Sequence, residues 1–443
     1  MIRSASLVLV ATAALSSPAA AQGASGSWSL LEASPFHNYR FEDGDFIDPS
    51  TGWIVNPNGE VWKTDDAGAS WEMLGDYGSQ YIRSVAFPTS ELGIFGTLYG
   101  SEILWRSTDG GQTFTDVTAQ IAGPAPTGIC GLYAVSEDVI YGAGYYNGPA
   151  HVVKTTDGGQ TWTSRAMDDV AGSLVDIYFW DEMRGIAVGG TQGAWTDSQS
   201  IVVMTEDGGE TWTRRYTSET FGEWGWKISF PTPTTGYVSI EHPYTRAPGP
   251  AKLLKTVDGG MSWTELSIPG STEPEGLQGT GFITENVGWA SGRGTTSVTT
   301  DGGQTWDQLD LDGQINRFEF FGDTLAYAMG TRIYKLDRLS TAAADAPDQP
   351  VAFGIDAAYP NPTASGLDVA YLLPRASEVD LAVYDLLGRR VATLASGLHA
   401  TGRNDAAWDG RDASGSALAP GVYLLRLRAG QQADVQRVTL VGR

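Results

Sequence analysis

The sequence is poor in cysteine, histidine and positive charge. Its 443 residues include one Cys and four His, and 28 Lys and Arg stand against 52 Asp and Glu. The single thiol, Cys130, excludes an internal disulfide, and His37, His151 and His242 lack the spacing of metal ligands. The formal charge of −24 excludes a general binder of nucleic acid or anionic membranes, because phosphate repels such a body. We expect no metal, no cofactor and no nucleic-acid partner.

Long apolar runs are also missing. No segment after residue 21 reaches 18 apolar residues, so we expect no membrane span in the mature chain. At the N-terminus, Arg3 precedes a short apolar run from Leu7 to Leu15, and three alanines at 19–21 follow. This order predicts a secretory signal peptide over residues 1–21. A membrane anchor is the alternative, but the run is too short and is interrupted by serine and proline.

The acidic charge is unevenly distributed. Between Val351 and Arg443 nine acids balance nine arginines, so residues 22–350 carry −25. Residues 340–350 are small and polar, with no apolar periodicity. We therefore predict one domain over 22–338, a linker over 339–350 and a second domain over 351–443.

Glycine and tryptophan, by contrast, are abundant, at 56 and 15 residues. Many belong to a segment that recurs six times with the pattern Ser/Thr-x-Asp-x-Gly-x-Ser/Thr-aromatic, as in Thr155–Trp162. The repeat spacing of 43 to 51 residues suits a four-stranded propeller blade. The aspartates of the six segments are Asp66, Asp109, Asp157, Asp207, Asp258 and Asp301.

Each of these segments lies between two strand-like runs and is predicted to be a hairpin connection. The aspartate can accept backbone N–H groups of its own turn, glycine permits positive φ, and the aromatic residue can pack between blades. Metal binding or catalysis would require the six carboxylates to converge, whereas a ring holds them apart. We therefore interpret the six aspartates as structural.

A second unit precedes each segment: an inner strand ending in an aromatic residue, a short turn and a Gly-led apolar strand, as in Phe179 followed by Gly185. Seven such units are present, one more than the number of turns. The run at Trp28 resembles the strands that follow the turns and can complete the seventh blade. We predict an all-β fold, a seven-bladed β-propeller closed by an N-terminal strand.

These turns resemble the Asp-box, or BNR, repeat, and the whole arrangement is most similar to the photosystem II assembly and stability factor family. Related repeats occur in sialidases, sortilin-type receptors and xyloglucan-degrading hydrolases. The resemblance covers about residues 28–337 and implies the propeller fold. It does not imply one activity, since this fold serves many.

Residues 351–443 resemble the C-terminal sorting domain of type IX secretion substrates. The matching segments are Tyr359–Thr363, Val383–Val391, Trp408–Gly415 and Pro420–Leu427, in the family's order. The strand pattern predicts a small immunoglobulin-like β-sandwich. The resemblance implies type IX secretion machinery as a partner and a secreted or outer-membrane surface location reached through the periplasm. An ordinary immunoglobulin-like ligand-binding module is the alternative.

The candidate binding residues lie on loops that share one face of a propeller. Their aromatic rings can stack on a sugar or peptide and their polar groups can orient it; alternatively, the rings only cover the blade ends. Tyr77 and Tyr81 lie on the same loops. The candidates are Tyr145, Tyr146, His151, Trp195, Trp224, Trp226, His242, Tyr244 and Arg246.

Basic residues recur at the start of inner strands: Arg83, Lys227 and Arg317, preceded in the first unit by Arg40. They can converge at the central mouth as an anion site, or they can be solvated partners of nearby acids. We expect a monomeric, non-catalytic propeller that binds a protein or glycan at the cell surface. A secreted glycoside hydrolase of the sialidase-like group is the alternative, and for it an Arg triad and a Tyr–Glu pair would have to meet at the mouth.

Overall fold

In the computed structural model the chain divides between Ser340 and Thr341 into two compact units. The predicted signal peptide and the predicted linker lie outside the described residues. The structure describes residues 26–36, 39–242, 250–269, 276–292, 295–309, 311, 314–337, 353–359, 361, 363, 366–373, 377–385, 388–399, 402–430 and 432–441.

The first unit consists of seven antiparallel four-stranded blades, numbered along the chain, and the third blade carries one additional strand, β10. Two short 3₁₀ helices, Thr118–Gln120 and Trp195–Asp197, lie between strands. The strands are β1 Ser27–Leu30, β2 Asp43–Phe46, β3 Gly52–Val55, β4 Glu60–Thr64, β5 Glu72–Asp76, β6 Ile82–Ala86, β7 Gly93–Thr97, β8 Leu104–Ser107, β9 Thr115–Asp116, β10 Ile121–Ala122, β11 Gly131–Ala134, β12 Ile140–Gly144, β13 His151–Thr155, β14 Trp162–Ala166, β15 Ser173–Phe179, β16 Gly185–Gly190, β17 Gln199–Thr205, β18 Thr213–Phe221, β19 Trp224–Ser229, β20 Gly236–Glu241, β21 Ala251–Thr256, β22 Thr264–Ile268, β23 Gly279–Phe282, β24 Gly288–Ser291, β25 Thr296–Thr299, β26 Asp307–Leu309, β27 Arg317–Phe321, β28 Leu325–Met329 and β29 Ile333–Asp337.

The seventh blade combines the two ends of the propeller sequence. Strand β1 pairs antiparallel with β29, so that Ser27 faces Asp337 and Leu30 faces Tyr334. The inner strands β2, β6, β11, β15, β19, β23 and β27 each contact the next, and β27 contacts β2. The ring is therefore closed, and the predicted seven-bladed propeller with N-terminal closure is confirmed.

Aromatic stacking joins successive blades. The aromatic residue that ends an inner strand lies flat against an aromatic residue of the preceding blade: Phe179 stacks on Tyr141 with ring centroids 3.6 Å apart, and Phe282 stacks on Tyr237 at 3.4 Å. The glycine that begins the next strand makes room for this ring, because a Cβ on Gly185 would lie 2.5 Å from the ring of Phe179. The Gly-led strands in the sequence thus follow from aromatic packing between blades.

The Asp-Gly turns contribute a second connection between blades. The carbonyl of the first glycine in a turn accepts a hydrogen bond from a side chain of the preceding blade. Lys154 Nζ donates to Gly208 O at 3.0 Å, Arg184 Nη2 to Gly259 O at 2.6 Å and Lys255 Nζ to Gly302 O at 2.8 Å. Such charge-assisted bonds tie neighbouring blades together on the face opposite the start of the inner strands.

The second unit is a β-sandwich, as predicted. Its two antiparallel sheets have the orders β30-β31-β34 and β33-β32-β35-β36. Leu381 and Leu425 belong to its buried apolar core, with Trp408 at one end. Its strands are β30 Gly354–Tyr359, β31 Leu367–Leu373, β32 Ser377–Tyr384, β33 Arg390–His399, β34 Gly402–Trp408, β35 Gly421–Ala429 and β36 Gln432–Leu440.

Candidate functional site

The mouth, defined as the end of the central channel at which the inner strands begin, is built around Glu42. This carboxylate is buried and accepts hydrogen bonds from Arg40 Nε at 3.2 Å and Tyr81 Oη at 2.8 Å. Arg83 Nη1 lies 3.5 Å from its Oε2. Burial opposes ionisation of Glu42, but the adjacent guanidinium groups outweigh it and lower its pKa to about 2. Burial and the Glu42 charge raise the pKa of the Tyr81 phenol.

A second group of charges crosses the channel just below the mouth. Arg317 Nε lies 2.5 Å from Asp43 Oδ1, and Arg317 Nη1 lies 3.8 Å from Asp176 Oδ2. Lys227 Nζ lies 3.8 Å from Asp176 Oδ1. Burial lowers the pKa of Lys227 to about 8, although Asp176 opposes that shift. The channel is therefore filled here by paired charges from blades 1, 4, 5 and 7.

Two carboxyl groups further along the inner strands have raised pKa values, in contrast to Glu42. Burial raises the pKa of Asp45 to about 6 and that of Glu319 to about 8, with the nearby carboxylates adding to both shifts. Asp45 Oδ2 also accepts the backbone N–H of Phe87, at 2.5 Å. In the same way Asp43 accepts the N–H of Val85 at 3.1 Å. The acids thus also satisfy N–H groups on the free inner edge of the next blade.

Irregular strand pairing sets the positions of three of these charged side chains. The ladder between the first two strands shifts register between Ile82 and Ser84 in blade 2, around Arg83, and between Leu174 and Asp176 in blade 4. A third shift in blade 5 surrounds Lys227. Bulges turn side chains away from the regular alternation. Nothing in the spacing of the sequence marks their positions.

Arg83, Lys227 and Arg317 thus lie near the channel axis, as one of the two alternatives from the sequence has it, but they do not form an open anion site. Arg83 and Lys227 are buried, and each of the three cations lies within 4 Å of a carboxylate. The alternative of acidic partners agrees with these ion pairs, although the pairs of Arg83 and Lys227 are buried rather than solvated. Arg83 also lies over the ring of Trp226, 5.5 Å from its centroid.

The aromatic candidates form a packed cluster beside the mouth. Trp224 and Trp226 are buried together with Val175, and the half-buried Tyr146 packs against both tryptophans at 6.3 and 6.2 Å. Trp226 Nε1 donates to Asn316 Oδ1 at 3.2 Å. These tryptophans line the inside of the blade ends rather than an open surface.

The remaining candidates are scattered. Tyr145 is half-buried next to Tyr146, and His151 is buried in β13 with its Nδ1 3.2 Å from Pro149 O. His242 is buried after β20. Tyr244, Arg246 and the side chain of Trp195 lie outside the described residues. Tyr77 is half-buried and packs edge-on against Phe95 and Trp105. Cys130 is buried just before β11.

An open cavity of about 410 Å³ lies at the mouth between blades 1, 2 and 7. Arg40, Glu42 and Tyr81 line it, together with Tyr39, Asn58 and Gln314. Of these six residues only Arg40 and Tyr81 were singled out from the sequence. The sequence does mark the position of Asn58. The Asn-Pro-Asn-Gly run at 56–59 predicts the turn between the second and third strands of blade 1, and that turn lies on this face.

The six repeated turns have one hydrogen-bond pattern. In blade 4, Thr205 Oγ1 donates to Asp207 Oδ1 at 2.9 Å, Thr211 N donates to the same oxygen at 2.9 Å, and Thr211 Oγ1 donates to Oδ2 at 2.5 Å. The N–H of Gly209 donates back to Thr205 Oγ1 at 2.9 Å. These bonds lower the pKa of Asp207. The same bonds surround Asp66, Asp109, Asp157, Asp258 and Asp301.

Other kinds of site are not evident in the part of the chain that the structure describes. Among those residues, no three His, Cys, Asp or Glu side chains form a group suited to a metal ion. No helix in the same residues is long and apolar enough to cross a membrane. A wider groove of about 810 Å³ lies in the sandwich between β33 and β34, beside Trp408 and Arg411, but no buried charges converge on it.

Comparison with known proteins agrees with this architecture. Residues 363–433 match the FlgD Ig-like domain family. Over 140 residues the chain is 33% identical to the photosystem II assembly lipoprotein Ycf48 of Synechococcus sp. (strain CC9902). The aligned segment covers 30% of this chain and 39% of that protein. The match therefore spans about two fifths of that relative.

Two solved propellers resemble the chain in fold. A structure described as YCF48 bound to D1 peptide aligns over 71% of this chain and 97% of its own, with a TM-score of 0.52 and 19% identity. The GH74 xyloglucanase from Xanthomonas campestris aligns over 92% of this chain and 75% of its own, with a TM-score of 0.52 and 13% identity. At these identities the likeness concerns the fold alone.

Proposed function

We propose that the protein is an exported, non-catalytic propeller that binds a protein or glycan at the cell surface through its mouth. The observation that carries this proposal is the open cavity beside Glu42, whose charge is neutralised by Arg40 and Arg83. A preformed concave site with a few fixed polar groups is suited to holding a ligand.

One observation favours the alternative, a glycoside hydrolase of the sialidase-like group. Tyr81 and Glu42 form a Tyr–Glu pair, and Arg40 and Arg83 lie beside it. The protonation states argue against catalysis. With a pKa of about 2, Glu42 cannot protonate a leaving group at neutral pH. The raised pKa of Tyr81 disfavours the phenolate nucleophile, and both guanidinium groups are committed to Glu42.

The relatives support a binding role. One solved propeller of this fold is described with a bound peptide, and its curated counterpart is named as an assembly protein. Because one solved structure of similar fold is a xyloglucanase, the hydrolase alternative is tested as well. We interpret the six Asp-Gly turns as structural Asp-boxes, since their carboxylates are occupied by their own turns.

We further propose that residues 1–21 are a cleaved signal and that 351–443 are a type IX sorting domain, so that the product reaches the cell exterior. Deleting residues 351–443 from the protein in a host that has this secretion system should leave the propeller in the periplasm. Normal surface delivery of the shortened chain would refute the sorting role.

The binding role is tested with the purified mature protein on glycan and peptide arrays, followed by hydrolysis assays on any glycan that binds. We expect a ligand whose binding is lost in Asn58→Trp, which fills the mouth cavity, and kept in Gln160→Trp, on the opposite face. Turnover of any glycoside that is lost in Glu42→Gln would overturn the non-catalytic proposal. Binding unaffected by Asn58→Trp would remove the mouth as the site.

A further inference from the structure

The mouth cavity presents hydrogen-bonding groups without net charge. Arg40 and Glu42, the two ionised groups that line it, carry opposite charges and form an ion pair, with Arg40 Nη2 3.2 Å from Glu42 Oε2. The buried Arg83 contacts the same carboxylate but does not line the cavity. Arg40 Nη1 also donates to Gln278 Oε1. An ionic ligand would therefore have to break an existing pair, and the acidic surface of the propeller repels anions in any case.

Asn58 and Gln314, the two amide side chains of the cavity, can each donate and accept hydrogen bonds. Asn58 lies in a turn fixed by Asn56, whose Oδ1 accepts the N–H groups of Asn58 at 3.0 Å and Glu60 at 3.2 Å. Gln314 is held by its backbone N–H, which donates to Gly292 O at 3.0 Å. Both amides are thus presented by ordered backbone, which reduces the entropy lost on binding.

Two tyrosines complete the cavity. Tyr39 lines it and is 57% exposed. The half-buried Tyr81 also lines it, and its ring lies 5.9 Å from that of Tyr99, which is 55% exposed. Rings of this kind offer flat apolar surfaces with polar tips.

We propose that this cavity binds a neutral polyhydroxylated ligand, namely one or two sugar rings of an uncharged glycan. The C–H face of a sugar can pack on Tyr39 or Tyr81, while its hydroxyl groups can both donate and accept. They can therefore satisfy the amide groups of Asn58 and Gln314 at once. A peptide would favour a longer groove with rows of backbone partners. This inference rests on the proposed binding role of the mouth and narrows it to one ligand class.

The test is a calorimetric titration of the mature protein with a panel of neutral tetrasaccharides: cellotetraose, maltotetraose, mannotetraose and xylotetraose. We expect at least one to bind. Tyr39→Ala should weaken that binding about tenfold, because a stacking surface is lost. Asn58→Ala and Gln314→Ala should each weaken it about fivefold. Gln160→Ala and Gln112→Ala, in exposed turns on the opposite face, are the matched controls and should leave it unchanged.

The outcomes separate this inference from the broader proposal. If none of the neutral glycans binds but an array peptide does, and Asn58→Trp blocks that peptide, the mouth remains a binding site and the sugar inference is overturned. If a tetrasaccharide binds equally well to Tyr39→Ala, Asn58→Ala and Gln314→Ala, its site is elsewhere and the inference also fails. If no glycan or peptide binds at all, both proposals fall. Unchanged circular dichroism and melting temperature establish that each variant is folded.

Discussion

Arg317 of blade 7 and Asp176 of blade 4 meet across the centre of the ring, with Nη1 and Oδ2 3.8 Å apart. The same guanidinium lies 2.5 Å from Asp43 of blade 1 through its Nε. One side chain therefore links three blades that are far apart in the sequence. The channel below the mouth therefore contains ion pairs that join blades 1, 4 and 7.

Arg317→Met should strongly destabilise the propeller. The change leaves two buried carboxylates, Asp43 and Asp176, without their shared guanidinium. Removing one partner of a buried ion pair typically costs about 3–5 kcal/mol. Urea unfolding at pH 7, monitored by tryptophan fluorescence, measures the loss.

Arg165→Met is the control for that measurement. Its pair with Asp169, at 2.8 Å, is solvent-exposed, so we expect a change of about 0–1 kcal/mol. Equal effects of the two substitutions would mean that the channel pairs are no more important than surface pairs.

Glu319→Gln should change how stability depends on pH. Burial raises the pKa of Glu319 from 4.5 to about 8. Between those two values the unfolded chain has released this proton while the folded chain retains it, so the wild-type free energy of unfolding falls as the pH rises. With the side chain 29% exposed, water screens the effect, and we expect a fall on the order of 2 kcal/mol.

The variant should therefore be more stable than the wild type at pH 8 and should show a flatter profile between pH 5 and 8. Chemical unfolding at pH 5, 6.5 and 8 is the measurement. Parallel profiles for the two proteins would show that Glu319 does not titrate in this range.

Tyr141→Phe and Tyr237→Phe should each remove hydrogen bonding from a tyrosine hydroxyl to backbone carbonyls of the next blade, at two different blade boundaries. Tyr141 Oη donates to Glu182 O at 2.9 Å and Gly208 O at 3.1 Å; Tyr237 Oη donates to Glu285 O at 2.9 Å and Gly302 O at 3.3 Å. Phenylalanine keeps the stacked ring and leaves these carbonyls without the hydroxyl.

We expect each of these two substitutions to cost about 1–2 kcal/mol of unfolding free energy. Tyr99→Phe changes an exposed ring and should have no measurable effect. If Tyr141→Phe and Tyr237→Phe were as neutral as Tyr99→Phe, the turn carbonyls would not matter for the packing of the blades.

Trp28→Ala should loosen the closure of the ring. The indole lies edge-on to Trp289 at 5.2 Å and to Phe318 at 5.9 Å, and it holds β1 against β29. Loss of a large, partly buried aromatic side chain should cost about 2–4 kcal/mol. A melting curve measures the loss, and size-exclusion chromatography should detect association through the exposed edge of β29. Ser27→Ala, at an exposed position of the same strand, is the control.

The propeller could be predicted because the residues that specify each blade lie close together in the sequence and recur along it. Each turn such as Thr205–Trp212 contains the hydroxyl, carboxylate, glycine and aromatic groups that satisfy one another within eight residues. The period between the turns gives the blade length. The surplus inner strand at Phe320 and the strand-like run at Trp28 together predicted the closure. The sandwich was predicted in the same way, from alternating strands separated by glycine-rich turns.

The candidate site was predicted less well. From the sequence, the basic residues before the inner strands could either converge as an anion site or pair with nearby acids. They lie near the axis as ion pairs whose acidic partners Glu42, Asp43 and Asp176 come from other blades. For the tryptophans at 224 and 226 the sequence left open a binding face or a cover over the blade ends, and both side chains are buried. Amphipathic aromatic residues occur both in cores and in binding sites, so their identity alone does not separate the two.

The sequence by itself determined the number of blades, the position of the turns and the acidic character of the propeller, because each depends on residues near one another or on a simple sum. Only the tertiary structure decided which charges are buried, which acids keep their protons and which part of the mouth is open. Those properties depend on groups from blades 1, 2, 4, 5 and 7 that meet at the axis, where burial and a few ångströms of separation set the balance between desolvation and ion pairing.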